Sequence, residues 1–170
     1  MANDKTVLLD ISTLLSGEEK VKAFDLEFSP DIDDPDIVPE GMVRFAGVVK
    51  ECSGFVRMEG KLSFSFSSPC ARCLETVRSA LEVNVELDGF ELDKIPDQDG
   101  DYFTVEDSRI DLGAIVYEYL SINLPTRLLC SEDCKGLCPH CGKNLNLEDC
   151  DCAKKQIDPR LAGLMDFFNE

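Results

Sequence analysis

The stretch KLSFSFSSPCARCLETVRSALEVNVELD (residues 61–88) decides the fold. On its first arm Leu62, Phe64 and Phe66 alternate with Lys61, Ser63, Ser65 and Ser67. On its second, Leu81, Val83, Val85 and Leu87 alternate with Glu82, Asn84, Glu86 and Asp88. A period of two places one set of side chains on a buried face and the other in solvent, which is the pattern of a half-buried strand. The intervening Pro69-Cys-Ala-Arg-Cys73 is short and turn-like, so the two arms read as an antiparallel pair with the thiols of Cys70 and Cys73 at its tip.

Other strands and one helix extend this body. Phe24, Leu26 and Phe28 alternate with Asp25 and Glu27, and residues 42–50 (MVRFAGVVK) form another strand candidate. The order Asp-Ile-Ser-Thr-Leu-Leu from Asp10 to Leu15 suggests a capped turn or short helix closed by Ser16-Gly17. The segments 29–41 and 93–107, rich in Asp and Pro or otherwise polar, read as loops. From Ile110 the spacing of Leu112, Ile115, Val116 and Tyr119 is helical, and Pro125 ends that helix within a few residues. Asp158-Pro159 opens a short C-terminal helix carrying Leu161, Leu164 and Phe168, packed onto the body or onto a partner.

Eight of the nine cysteines fall into four close pairs: Cys70/Cys73, Cys130/Cys134, Cys138/Cys141 and Cys150/Cys152. A structural zinc site takes four tetrahedral ligands, and two thiols a turn apart reach one ion together. Four pairs supply two such sites. Iron–sulfur ligation and redox-active thiols are the other uses of such pairs. A disulfide framework needs an oxidising compartment. Residues 1–20 have no basic start and no small-residue cleavage site, so they do not read as a signal peptide, and a cytoplasmic location is expected. Cys138, Cys141, Cys150 and Cys152 lie within one short loop that is easily closed. That favours one ion there and a second held by Cys70, Cys73, Cys130 and Cys134. The competing arrangement joins Cys70/Cys73 to Cys138/Cys141. Cys52 is left as a free buried thiol, and His140, between two ligands, is expected to point outward.

The formal net charge is −17, distributed as −8 over residues 1–43, +3 over 44–80, −10 over 81–126 and −2 over 127–170. Nucleic-acid affinity rests on cations that displace counterions from phosphates, so binding to bare duplex, DNA included, is expected to be poor. Basic proteins are the better match to such a field. Arg44, Lys50, Arg57, Lys61, Arg72 and Arg78 form the one candidate RNA-binding patch, or else are ordinary solvent-facing strand residues. There is no glycine-rich phosphate loop, no nucleophile elbow and no second histidine. Two filled four-thiolate sites leave no open coordination position for catalysis. A non-enzymatic protein is expected.

The motifs Cys70-Ala-Arg-Cys-Leu-Glu75, Ile122-Asn-Leu-Pro125, Gly136-Leu-Cys-Pro-His-Cys-Gly-Lys-Asn-Leu-Asn146 and Asp158-Pro-Arg-Leu-Ala162, in that order, resemble the YceD family, described as large ribosomal RNA subunit accumulation proteins. The resemblance implies a bacterial protein that supports accumulation or processing of large-subunit ribosomal RNA. Its partners would be the precursor rRNA, basic ribosomal proteins, or both. The expected fold is α+β: a mainly antiparallel β body with one long helix, a short C-terminal helix and a Cys-rich zinc-binding segment. Its expected domains are residues 1–129 and 130–170. A zinc-dependent adaptor or a redox-sensitive regulator unrelated to ribosomes is the alternative.

Overall fold

The computed structural model describes residues 7–30, 32–95 and 100–152. The C-terminal helix expected from Asp158 lies outside them. The described residues are mostly β, with few helices, and the chain divides into two compact units. The first is drawn from Met1–Ser68 and Arg78–Thr126, and the second from Pro69–Val77 and Arg127–Glu170. The second unit therefore includes the tip of the hairpin as well as the Cys-rich segment.

In the first unit, β1 (Leu8–Asp10) is followed by a one-turn helix, α1 (Ser12–Leu15), and by β2 (Val21–Phe28). Next come β3 (Val38–Pro39), β4 (Val43–Cys52), β5 (Phe55–Pro69) and β6 (Thr76–Glu91). The main sheet has the order β2-β4-β5-β6 and ends on β7 (Tyr102–Val105), with β3 also pairing β5. β2 and β4 are antiparallel with Phe24 opposite Gly47, and β4 and β5 are antiparallel with Phe45 opposite Leu62. β5 and β6 are neighbours joined only by residues 70–75, too short for a parallel crossover, so they form the antiparallel hairpin expected from the sequence.

The alternating residues behave as their period requires. Phe24, Val43, Phe45, Val49, Met58, Leu62, Phe64, Phe66 and Val85 are buried on one face, and each such burial is worth about 1.5–3 kcal/mol. The acidic segment 93–107, expected to be a loop, contains a strand: β7 runs parallel to β6, pairing Asp88 with Tyr102 and Gly89 with Phe103. Gly89 is required there, because a Cβ would lie 2.2 Å from the Phe103 ring. The helix also starts later than expected, because Ile110 belongs to β8 (Arg109–Asp111), which pairs antiparallel with β1. Helix α2 (Leu112–Asn123) is twelve residues long, about three turns. Asp111 caps it, its side chain accepting from the Ala114 amide at 3.1 Å. Leu112, Ile115, Val116 and Leu120 form its buried stripe.

Among its described residues the second unit has little regular structure, and their order comes from turns around sulfur. Cys70, Cys73 and Cys134 are buried together with Val77 and Leu137 packed against them. No helix among the described residues is long and apolar enough to cross a membrane.

Candidate metal centres

Both CxxC turns have one backbone plan. In the hairpin tip the Cys70 amide donates to the Glu75 carbonyl at 2.8 Å and the Leu74 amide to the Cys70 carbonyl at 3.0 Å. In the later turn the Cys138 amide donates to the Lys143 carbonyl at 2.8 Å and the Gly142 amide to the Cys138 carbonyl at 2.9 Å. Each pair of bonds folds four residues so that both sulfurs point into the turn. The residue after the second cysteine takes a left-handed conformation, Leu74 at φ 63° and Gly142 at φ 73°.

The sulfurs gather into two groups of four: Cys70, Cys73, Cys130 and Cys134; and Cys138, Cys141, Cys150 and Cys152. Within each group they lie within 4.8 Å of one another. Cys70 and Cys134 sulfurs are 3.8 Å apart, and Cys73 and Cys130 are 3.5 Å apart. In the second group Cys141 and Cys150 are 3.6 Å apart, and Cys138 and Cys150 are 3.2 Å apart. Bonds of about 2.3 Å to a tetrahedral ion set sulfur–sulfur edges of about 3.8 Å, so both groups are close to the size such an ion needs. Of the two arrangements open from sequence, this grouping is the one that closes the 138–152 loop on itself. The groups differ in exposure. Three of the four cysteines in the first are buried, but only Cys138 in the second.

Amide donors surround the sulfurs. Cys70 Sγ accepts from the amides of Arg72 at 3.5 Å and Cys130 at 3.4 Å, and Cys150 Sγ from that of Cys152 at 3.3 Å. These contacts favour thiolate over thiol. Backbone donation, led by Arg72, holds Cys70 down to about 6, and donation from the Cys141 and His140 amides holds Cys138 down to about 6. The other thiols cannot all follow, because each would ionise beside an existing thiolate. Cys130 is pushed up to about 12, chiefly by Cys134, and Cys152 to about 12, chiefly by Cys150. A cluster that ionises in part when empty, and fully only beside a cation, is the electrostatic form of a metal site.

Two contributors were not evident from sequence. Asn146 donates from Nδ2 to Cys134 Sγ at 3.3 Å, while its Oδ1 accepts from the Lys135 amide at 2.8 Å. Arg72 donates from Nη1 to the carbonyls of Glu132 at 3.2 Å and Cys134 at 2.8 Å. Each ties one cysteine-bearing segment to another. The sequence signal was their position, inside or a few residues beyond a CxxC turn. His140 is exposed and belongs to neither sulfur group, and Cys52 is half-buried at the end of β4, also outside both.

The basic residues of segment 44–80 are engaged. Arg44 pairs with Asp25 through two bonds of 2.9 and 2.7 Å, and Arg57 with Asp88 through two of 2.7 and 2.9 Å. Lys50 meets Glu59 at 2.6 Å, Lys61 meets Glu82 at 2.6 Å, and Arg78 meets Glu40 at 3.0 Å. With Arg72 turned to backbone carbonyls, all six have protein partners. Asp25, Glu40, Glu82 and Asp88 lie outside the +3 segment and cancel its excess.

Comparison with known proteins places this geometry in a family. The model of the family described as Large ribosomal RNA subunit accumulation protein YceD matches residues 58–168, a span holding all eight paired cysteines. An uncharacterized Bacillus subtilis protein, YlbN, is 35% identical over 125 residues, covering 72% of this chain and 72% of its own. An uncharacterized Mycobacterium tuberculosis protein is 34% identical over 127 residues, covering 71% of this chain, which spans 59% of that relative's length. An Arabidopsis thaliana protein named as a chloroplastic YCED homolog is 32% identical over 57 residues, 34% of this chain and 18% of its own. No solved structure matches. The hairpin knuckle, the second knuckle and the segment joining them all fall within the family's match, and the chain belongs to the YceD family of large ribosomal RNA subunit accumulation proteins.

Proposed function

We propose that this protein is a non-enzymatic cytoplasmic factor supporting accumulation or processing of large-subunit ribosomal RNA during ribosome assembly, with two structural zinc ions shaping its second unit. Membership of the YceD family is the observation that carries the ribosomal reading. Zinc is supported by the donor set: thiolates suit zinc over hard cations, and four of them close a tetrahedral shell. Cys70, Cys73, Cys130 and Cys134 would hold one ion; Cys138, Cys141, Cys150 and Cys152 the other. Each ion would supply folding energy to a segment that buries too little apolar surface to order itself.

Charge selects the kind of contact. Eight thiolates and two zinc ions add −4 in sum, taking the formal charge from −17 to about −21. With the sheet's cations already paired, contact through a basic ribosomal protein is favoured over direct contact with rRNA. Depletion of the protein in its own host, followed by sedimentation of extracts and analysis of precursor rRNA, tests this. A shortfall of large subunits with accumulated precursor is expected. A normal large-subunit peak with normal precursor levels would remove the assembly role.

A further inference from the structure

Within the first unit, β7 and α2 border an open groove of about 520 Å³. Its floor is apolar: Leu87, Phe103 and Ile115, each no more than 8% exposed. Its sides are mixed and face solvent, with Tyr102 39% and Ile122 74% exposed beside polar Asp101, Glu118 and Asn123. Ile122 is exposed beside this floor, so an apolar side chain entering the groove would meet both. The Gly89 notch that seats the Phe103 ring fixes that floor.

The electrostatics give the groove a direction. Asp101 and Glu118 line it, and no lysine or arginine does. Elsewhere on the sheet Asp25, Glu40, Glu59, Glu82 and Asp88 are each neutralised by a basic side chain. Asp101 and Glu118 have no ion-pair partner among the described residues. The surrounding segment 81–126 carries −10. Tyr119 also lines the groove, and burial together with these two carboxylates pushes its phenol up from its ordinary value.

We propose that this groove docks a basic segment of a partner protein, with an aliphatic side chain on the Phe103–Ile115 floor and flanking Lys or Arg side chains on Asp101 and Glu118. The volume is ample for one aliphatic side chain with the ends of its basic neighbours. Nucleic acid is disfavoured because its phosphates would face two unneutralised carboxylates. That the occupant is a ribosomal protein rests on the assembly reading; the preference for a basic, aliphatic segment does not.

The test uses the full metal-loaded chain and two fluorescent peptides of equal charge, one alternating Lys with Leu and one of Lys alone. The Lys/Leu peptide is expected to bind about tenfold tighter than the Lys-only peptide, and Glu118→Lys or Ile122→Asp to weaken it about tenfold, which is about 1.4 kcal/mol. Both positions are exposed, and unchanged circular dichroism and metal content would show that the variants are folded. Equal binding of the two peptides would reduce the effect to diffuse charge and overturn the proposal. So would unaltered binding by both variants, or binding of a labelled single-stranded RNA to the peptide-free protein that Ile122→Asp weakens. The RNA-free protein fraction of purified large subunits then serves as a second probe. If it is not retained while the Lys/Leu peptide is, the groove stands and only the ribosomal identity of its occupant fails.

Discussion

Leu74 occupies the position in the hairpin knuckle that Gly142 occupies in the second knuckle. Both follow the second cysteine of CxxC, both have positive φ, and both donate to the carbonyl of the first cysteine. A left-handed conformation costs a residue with a Cβ roughly 1–2 kcal/mol relative to glycine. Leu74 bears that cost while 65% exposed, so burial of its side chain does not offset it. Leu74→Gly is therefore expected to leave metal binding intact and to change stability by less than about 1 kcal/mol, because relief of strain is partly offset by glycine's greater unfolded entropy. Gly142→Ala has open space for its Cβ and should lose about 1 kcal/mol, read as roughly fivefold weaker retention of the second ion. Competition with a chromophoric chelator measures both. Equal loss in the two variants would show that the turns are not equivalent.

Metal stoichiometry follows from the sulfur grouping. Cys134→Ser removes a buried sulfur 3.8 Å from Cys70, and Cys150→Ser a half-buried sulfur 3.2 Å from Cys138. Each variant is expected to retain one zinc per chain where the parent holds two, measured by elemental analysis. Loss of both ions from either variant would mean that the groups do not fold independently.

The legibility of this chain varied with the range of the interactions. Phe24, Leu26 and Phe28, like the two arms around Cys70, announce strands because burial alternates along each strand by itself. β7 was missed because Tyr-Phe-Thr-Val at 102–105 is short and lies among acids, and its stability comes from parallel pairing with a strand more than ten residues upstream. The eight thiols were legible as ligands because chelation constrains local spacing. The partners of Arg44, Arg57 and Lys61 were not, since cross-strand register decides which carboxylates come within reach: Glu27 lies directly opposite Arg44, yet Asp25, one position along the same face, takes it. Arg72 and Asn146 were hidden for a related reason: both act on backbone or sulfur brought near by the knuckles, which side-chain identity does not encode.

The Arg57–Asp88 pair gives a pH dependence. Hydrogen bonding from Arg57, helped by its charge, holds the Asp88 carboxyl below its ordinary 3.8 against the opposing effect of burial. A carboxyl depressed in the folded state stabilises the protein above its unfolded value, and that stabilisation is lost as pH falls through the folded value. The side chains are 39% and 33% exposed, so the pair is worth about 0.2–1 kcal/mol. Asp88→Asn should lower the unfolding free energy from urea titration at pH 7 by that amount and make no difference once the pH is well below the folded value of the Asp88 carboxyl. Any metal held by the knuckles would be released in acid from both proteins, so the comparison between them cancels that effect. A gap that persists at the lowest pH would assign the loss to packing.

Arg72 separates two roles that one side chain could serve. If it binds rRNA phosphate, Arg72→Ala weakens RNA binding and leaves metal retention alone. Its Nη1 instead donates to the Glu132 and Cys134 carbonyls, and the Arg72 carbonyl accepts from the Leu137 amide at 3.0 Å, so the residue fastens the 132–137 segment to the hairpin knuckle. Hydrogen bonds from a charged donor are worth about 1.5–3 kcal/mol, and exposure of Arg72 brings the expected loss near the lower end. Arg72→Ala should therefore release the first zinc about tenfold faster to a chelator while the second leaves at its parental rate. Arg72→Lys, which keeps a donor and the charge, should recover part of that loss. Unchanged release of the first ion alongside weakened RNA binding would overturn the fastening role and return Arg72 to the nucleic-acid surface.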